Sequence, residues 1–179
     1  MSSEKRVMIF RELDDKYVLK ALYPIFMHYN CLDRLNEFIS NKLFFELKGE
    51  YSQIFMFNNI SYEKISEILQ SLYSVRFHPY SLGVPILVYK GSDVRPTLAF
   101  GKYLADICKN KFIIMNYYLI YKLIYGKPIL INANYKYKNA IAVDKFNNFI
   151  AYVKITKSKK GKTKVIPVKD IGWYLRRGG

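Results

Sequence analysis

The chain has 179 residues, about half of them hydrophobic, enough for one medium domain or two small ones and too apolar for global disorder. Its net charge of +15 is unevenly placed: residues 1–108 hold 13 Lys and Arg against 12 Asp and Glu, whereas residues 109–179 hold 16 against 2. That split argues against a merely soluble basic protein and points to a polyanionic partner for the second part: nucleic acid, an anionic membrane face or an acidic protein.

In chain order, Lys5–Phe10 is a short apolar run. Asp14 and Asp15 precede a helix through Lys16–Tyr23, which Pro24 should bend or end. A second short helix fits Asp33–Ser40. Lys42–Lys48 and Tyr51–Phe57 then alternate as two strands joined at Gly49-Glu50, a β-hairpin. Ser61 is placed to cap a helix through Ser74, and Ile65, Ile68, Leu69, Leu72 and Tyr73 give that helix one apolar face. Val84–Tyr89 and Pro96–Phe100 read as strands around a Gly91-Ser92-Asp93 turn. A short helix follows within Gly101–Asn110, and the shift in charge sets a domain boundary near Lys109.

The second domain opens with a strand, Lys111–Met115, and a helix, Tyr117–Tyr125, ended by Gly126. That helix is apolar on every side except at Lys122, so burial on more than one side is expected, between the barrel and the first domain. Strands follow at Pro128–Asn132, Ala140–Asp144, Phe149–Thr156 and Thr163–Val168. Asp170 is placed to cap a last helix, Ile171–Arg177. The fold class is therefore α+β. An N-terminal α/β domain with an antiparallel sheet and helices spans 1–108, and a small mixed β pseudo-barrel spans 109–179.

Cys31 and Cys108 make no disulfide framework and point to a reducing compartment. No signal peptide is visible, and no apolar run reaches the roughly 20 residues of a spanning helix. A cytoplasmic protein without membrane contact is expected. His28 and Cys31 lack a second pair at ligand spacing, so neither metal nor cofactor is expected. No glycine-rich phosphate loop is present.

Charge concentrates in Lys154–Arg177, which holds seven lysines and two arginines against Asp170. Lys157, Lys159 and Lys160 fall at a hairpin tip, Lys162 and Lys164 share a strand face, and Lys169 follows. Clustered lysines suit phosphate contact. Arg176 and Arg177 can form bidentate contacts to a base or a phosphate. Lys136 and Lys138 alternate with Tyr135 and Tyr137, a pattern for single-stranded RNA or, more plainly, for tyrosines packed into the barrel. Trp173 reads as core.

Several of these stretches resemble known families. Lys111–Leu130, with its helix ending in L-I-Y-G, looks like the opening of a PUA domain, an RNA-binding pseudo-barrel. K-D-I-G-W-Y-L-R-R (Lys169–Arg177) resembles the A-D-I/V-G-E-Y-L/V-R ending of the NIP-seven ribosome-biogenesis proteins. Asn59-Ile60-Ser61, Ser81-Leu82-Gly83 and Tyr103-Leu104-Ala105 are similar to further short motifs of that family. The paired Arg176 and Arg177 match its archaeal members, while Trp173 replaces the usual Glu.

The resemblance implies a non-catalytic factor for large-ribosomal-subunit maturation and precursor-rRNA processing. It would bind single-stranded or uridine-rich RNA through its PUA domain, as a monomer, alongside other assembly or exosome proteins. The alternatives are an RNA-modifying or RNA-processing enzyme and a protein–protein adaptor whose basic face meets an acidic partner.

Overall fold

A computed structural model describes residues 9–157, 162–173 and 176. Two compact units divide the chain: residues 1–23 with 34–97, and residues 24–33 with 98–179. The charge shift placed the break near Lys109. The compact units divide at Thr97/Leu98, because the helix from Leu98 packs on strands of the second unit.

The first unit holds one antiparallel sheet in the order β1-β2-β3-β4-β5. Its strands are β1 (Phe10–Glu12), β2 (Lys42–Leu47), β3 (Ser52–Asn58), β4 (Val84–Lys90) and β5 (Asp93–Pro96). The expected hairpin is β2–β3, in register from Lys42 opposite Asn58 to Leu47 opposite Gln53. Helix α3 (Tyr62–Ser74) starts where expected, with the Ser61 hydroxyl accepting from the Lys64 N–H at 3.4 Å. Its Ile65 and Leu69 join Phe10, Phe45, Leu47, Phe55 and Phe57 in the core.

Three expectations for the first 108 residues need correction. Helix α1 (Asp15–His28) runs through Pro24 rather than ending there. Val18, Leu22, Ile25 and Phe26 form a buried stripe across the proline, and that burial outweighs the missing N–H bond. The helix stops at Asn30, which takes φ +57°, while Cys31 N–H reaches back to the Phe26 carbonyl at 2.9 Å. The second helix is a 3₁₀ turn, Leu32–Arg34, followed by α2 (Leu35–Ile39). Pro96–Phe100 is no strand. Gly91 turns at φ +59°, Lys90 pairs with Asp93, and the strand ends at Pro96. Thr97 then bonds back to β4 through Ile86 and Pro85, and α4 (Leu98–Ile107) begins at once.

The second unit curls a five-stranded sheet around its own core in the order β6-β8-β9-β10-β7. The strands are β6 (Lys111–Ile114), β7 (Ile129–Ile131), β8 (Asn139–Asp144), β9 (Phe149–Lys157) and β10 (Thr163–Asp170). Among the described residues, only β6 and β8 pair in parallel. Helix α5 (Tyr117–Ile124) connects the two edge strands, β6 and β7, and packs on β9 and β10. Asn116 caps its start by accepting from the Tyr118 N–H at 2.8 Å. Gly126, at φ +71°, ends it as expected.

The expectation that α5 is buried on several sides fails. Ile120 and Leu123 are buried, whereas Tyr117, Tyr118, Tyr121 and Tyr125 are exposed. Tyrosine counts as apolar in a sequence pattern, but its hydroxyl lets the ring face water. Asp170 is likewise not simply a helix cap. It closes β10, residues 171–172 turn, and helical backbone appears at Trp173 and Arg176. Among the described residues, no helix is long and apolar enough to cross a membrane.

Candidate nucleic-acid interface

The basic residues singled out from the sequence separate onto different surfaces. β9 and β10 form the expected hairpin, with Lys157 opposite Thr163 and Lys164 opposite Thr156. Val153, Ile155 and Val165 turn into the core. The alternate positions Lys154 and Lys164 therefore fall on the sheet's outer face, away from α5. Lys157 and Lys162 are exposed beside them, and Lys169 is half-buried on β10. Lys159, Lys160 and Arg177 lie outside the described residues.

Lys136 and Lys138 are exposed, while Tyr135 and Tyr137 between them pack against the unit's core. The Tyr137 hydroxyl donates to the Lys111 carbonyl. Burial pushes both phenols above their ordinary pKa. These two rings are thus structural, in line with the plainer of the two explanations, and the lysines beside them form a cationic fringe.

Arg176 is engaged within the protein. Its two terminal nitrogens donate to the Asp170 carboxylate at 2.9 and 2.8 Å, and one also donates to the Ile124 carbonyl at the end of α5. The Asp170 side chain is only 4% exposed. This is a bidentate, largely desolvated pair, and it supplies the cation favoured at a helix C-terminus. Gly172 lets the two segments meet: a Cβ there would lie 2.2 Å from the Ile124 carbonyl oxygen. Arg176 thus anchors the chain's last turn to α5.

What that anchor holds in place is a row of rings. Tyr117 and Tyr121 on α5 and Tyr125 at its C-terminal cap are four residues apart and 62%, 62% and 60% exposed. Four residues of helix rise about 6 Å, so the rings step along one line. Tyr118 lies alongside with the Lys122 ammonium 4.6 Å from its ring centre, and Lys145 lies 5.8 Å from that of Tyr117. A cavity of about 340 Å³ runs along the row, lined by the three tyrosines, Ile120, Ile124, Gly172 and Arg176. Flat rings with cations beside them suit unstacked bases, whose faces they cover while the cations meet phosphate. The sequence reading missed this face. The signal was present in the i, i+4, i+8 spacing of the three tyrosines.

The cysteine expectation is overturned. Cys31 and Cys108 are joined by a disulfide across 77 residues, both sulfur-bearing residues being buried. The bond fastens the segment after α1 to the end of α4 within the second unit. Lys109 reinforces it with an ion pair to Asp33 at 2.7 Å. No sequence spacing marks a pair so far apart. Among the described residues, no group of three or more His, Cys, Asp or Glu could hold a metal ion.

No protein-family model matches the chain, and no curated protein matches it. Among solved structures, the chain is similar to the crystal structure of hypothetical protein PH0734.1 from the hyperthermophilic archaeon Pyrococcus horikoshii OT3. The match covers 93% of this chain and 99% of that one, at a TM-score of 0.52 and 12% identity. At that identity the likeness is one of fold.

Proposed function

We propose that this protein is a non-catalytic RNA-binding factor, an archaeal-type relative of the NIP-seven family with a PUA-like second unit. It would serve precursor-rRNA processing in large-subunit assembly as a monomer, in a cytoplasm of the kind hyperthermophiles have, where intracellular disulfides such as Cys31–Cys108 persist. The observation that carries the RNA reading is the α5 tyrosine row, exposed and fixed by Arg176 within the part of the chain that holds the excess charge. The ribosomal part rests on the sequence motifs. The lysines of the β9–β10 face would hold phosphates without choosing bases, and the tyrosines would hold the bases. Assembly or exosome proteins would meet the near-neutral first unit, where Val75, Phe77 and Tyr80 lie exposed in one loop.

Titration of the protein against a fluorescent oligouridylate at several salt concentrations tests the proposal. Saturable binding that weakens with salt is expected, together with cross-links from the RNA to peptides of α5. Absence of binding at low salt, or cross-links confined to the first unit, overturns it.

A further inference from the structure

Beyond α5, the second unit carries another aromatic surface that the tyrosine row does not include. Phe146 lies on the β8–β9 turn and is 69% exposed. The turn that presents it is rigidly built. The Asp144 carboxylate accepts from the Phe146 and Asn148 backbone N–H groups and from the Asn148 side-chain amide, each at 2.8 Å. Phe149, at the turn's far end, rests on α4 where Gly101 leaves room: a Cβ there would lie 2.5 Å from the Phe149 ring. The turn's own hydrogen bonds thus hold an apolar ring out in water, with its face open to a partner.

Lys145 links this ring to α5. Its ammonium sits 4.8 Å from the Phe146 ring centre and 5.8 Å from that of Tyr117. Both distances lie within the range of cation–π attraction. Phe146 also lines a polar cleft of about 560 Å³ between the turn and α4, with Lys102, Asp106 and Asn147 among the other lining residues. The acid in that cleft is already occupied. Asn147 donates to Asp106 at 2.9 Å and accepts from Lys111 at 2.9 Å. Lys102 remains exposed at the cleft. Ring, cation and cleft thus continue the α5 pattern around the end of the sheet.

We infer that Phe146, Lys145 and the cleft beside Lys102 form a second stacking station, so that a single RNA strand runs from the α5 tyrosines across Lys145 onto the β8–β9 turn. This rests on the RNA reading of the tyrosine row and adds the length and direction of the bound strand. One base would cover Phe146, Lys145 would meet the phosphate between the stations, and Lys102 would meet the next one. Stacking on an exposed ring and a lysine on the backbone are sequence-tolerant, so this station would lengthen the site without narrowing its base preference.

The experiment compares a short oligouridylate of about four nucleotides with one of about ten, lengths that bracket one and two stations. Affinities are measured for the wild type, for Phe146→Ala with Lys102→Ala, and for Tyr117→Ala with Tyr121→Ala. The Phe146/Lys102 variant should bind the long probe about tenfold more weakly and the short probe unchanged. Phe146→Trp should restore long-probe affinity. The tyrosine variant should lose both probes. Equal binding of the long probe by the Phe146/Lys102 variant and the wild type overturns the inference and leaves the RNA reading standing. Equal losses on both probes also overturn it, because Phe146 would then belong to one compact site. If the wild type binds neither probe, the RNA reading itself fails.

Discussion

The outer sheet face of β9 and β10 and the outer face of α5 offer the same partner two different surfaces. On the sheet, Lys154 and Lys164 stand on a strand pair, with Lys157 and Lys162 near the tip. Long side chains there carry charge without fixed geometry, so they can meet any phosphate. Along α5 and its C-terminal cap, three rings are spaced by the helix itself, and the helix end is fastened by Arg176 paired with the buried Asp170. Charge concentration marked the first surface in the sequence. Only the fold revealed the second, and it is the one with enough fixed geometry to select an unpaired strand.

The largest expected effect lies outside both faces and serves as a control. Replacing Cys31 and Cys108 by Ser removes a crosslink spanning 77 residues. The loss of chain constraint should lower unfolding stability by about 4 kcal/mol, read from urea unfolding. Binding by the folded fraction should be unchanged. A binding loss at temperatures where the variant stays folded would show that the two faces depend on the stapled segment.

Next comes Arg176→Ala, which strips a buried carboxylate of its partner and α5 of its C-terminal cation. A loss of about 3 kcal/mol in stability is expected, because an uncompensated buried charge remains. Asp170→Asn with Arg176→Gln, which removes both charges, should recover part of it. An Arg176→Ala variant as stable as wild type, but weak in RNA binding, would turn Arg176 back into a direct RNA contact.

Single tyrosine changes sharpen the comparison from the other side. Tyr121→Ala should leave stability within about 0.5 kcal/mol, as befits an exposed position. It should weaken oligouridylate binding about tenfold. The smallest effect concerns the turn below Phe146. Burial raises the Asp144 carboxyl, but hydrogen bonds from Asn148 and Phe146 and the nearby Lys145 charge bring it below the ordinary carboxylate range. Its contribution is therefore complete above the unfolded pKa of about 3.9 and fades as pH falls through the lower folded value. Asp144→Asn should flatten that acid limb slightly, as followed by unfolding at stepped pH.

Local patterns explain which parts of the fold the sequence disclosed. Helix α3 and the β2–β3 hairpin were legible because capping, periodicity and turn chemistry agree with burial there. The strands of the second unit were legible for the same reason. Helix α1 was misjudged at Pro24 because the burial that overrides a proline is a tertiary fact. The ring row on α5 was misjudged because tyrosine satisfies either a core or a wet surface. The Arg176–Asp170 pair and the disulfide are long-range or irregular contacts, and no periodicity announces them. The charge split was visible throughout, but its division between an outer sheet face and a helix end was not.

The most direct test of the two-surface account is a pair of salt titrations against one long oligouridylate. One protein carries Tyr117→Ala, Tyr121→Ala and Tyr125→Ala, and the other carries Lys157→Gln, Lys162→Gln and Lys164→Gln. The tyrosine variant should give a line parallel to wild type and displaced to weaker binding. The lysine variant should give a line shallower by about 0.7 per lost phosphate contact, roughly 2 in total. Equal displacement and equal slope for both variants, or a tyrosine variant that binds as wild type does, would contradict the account.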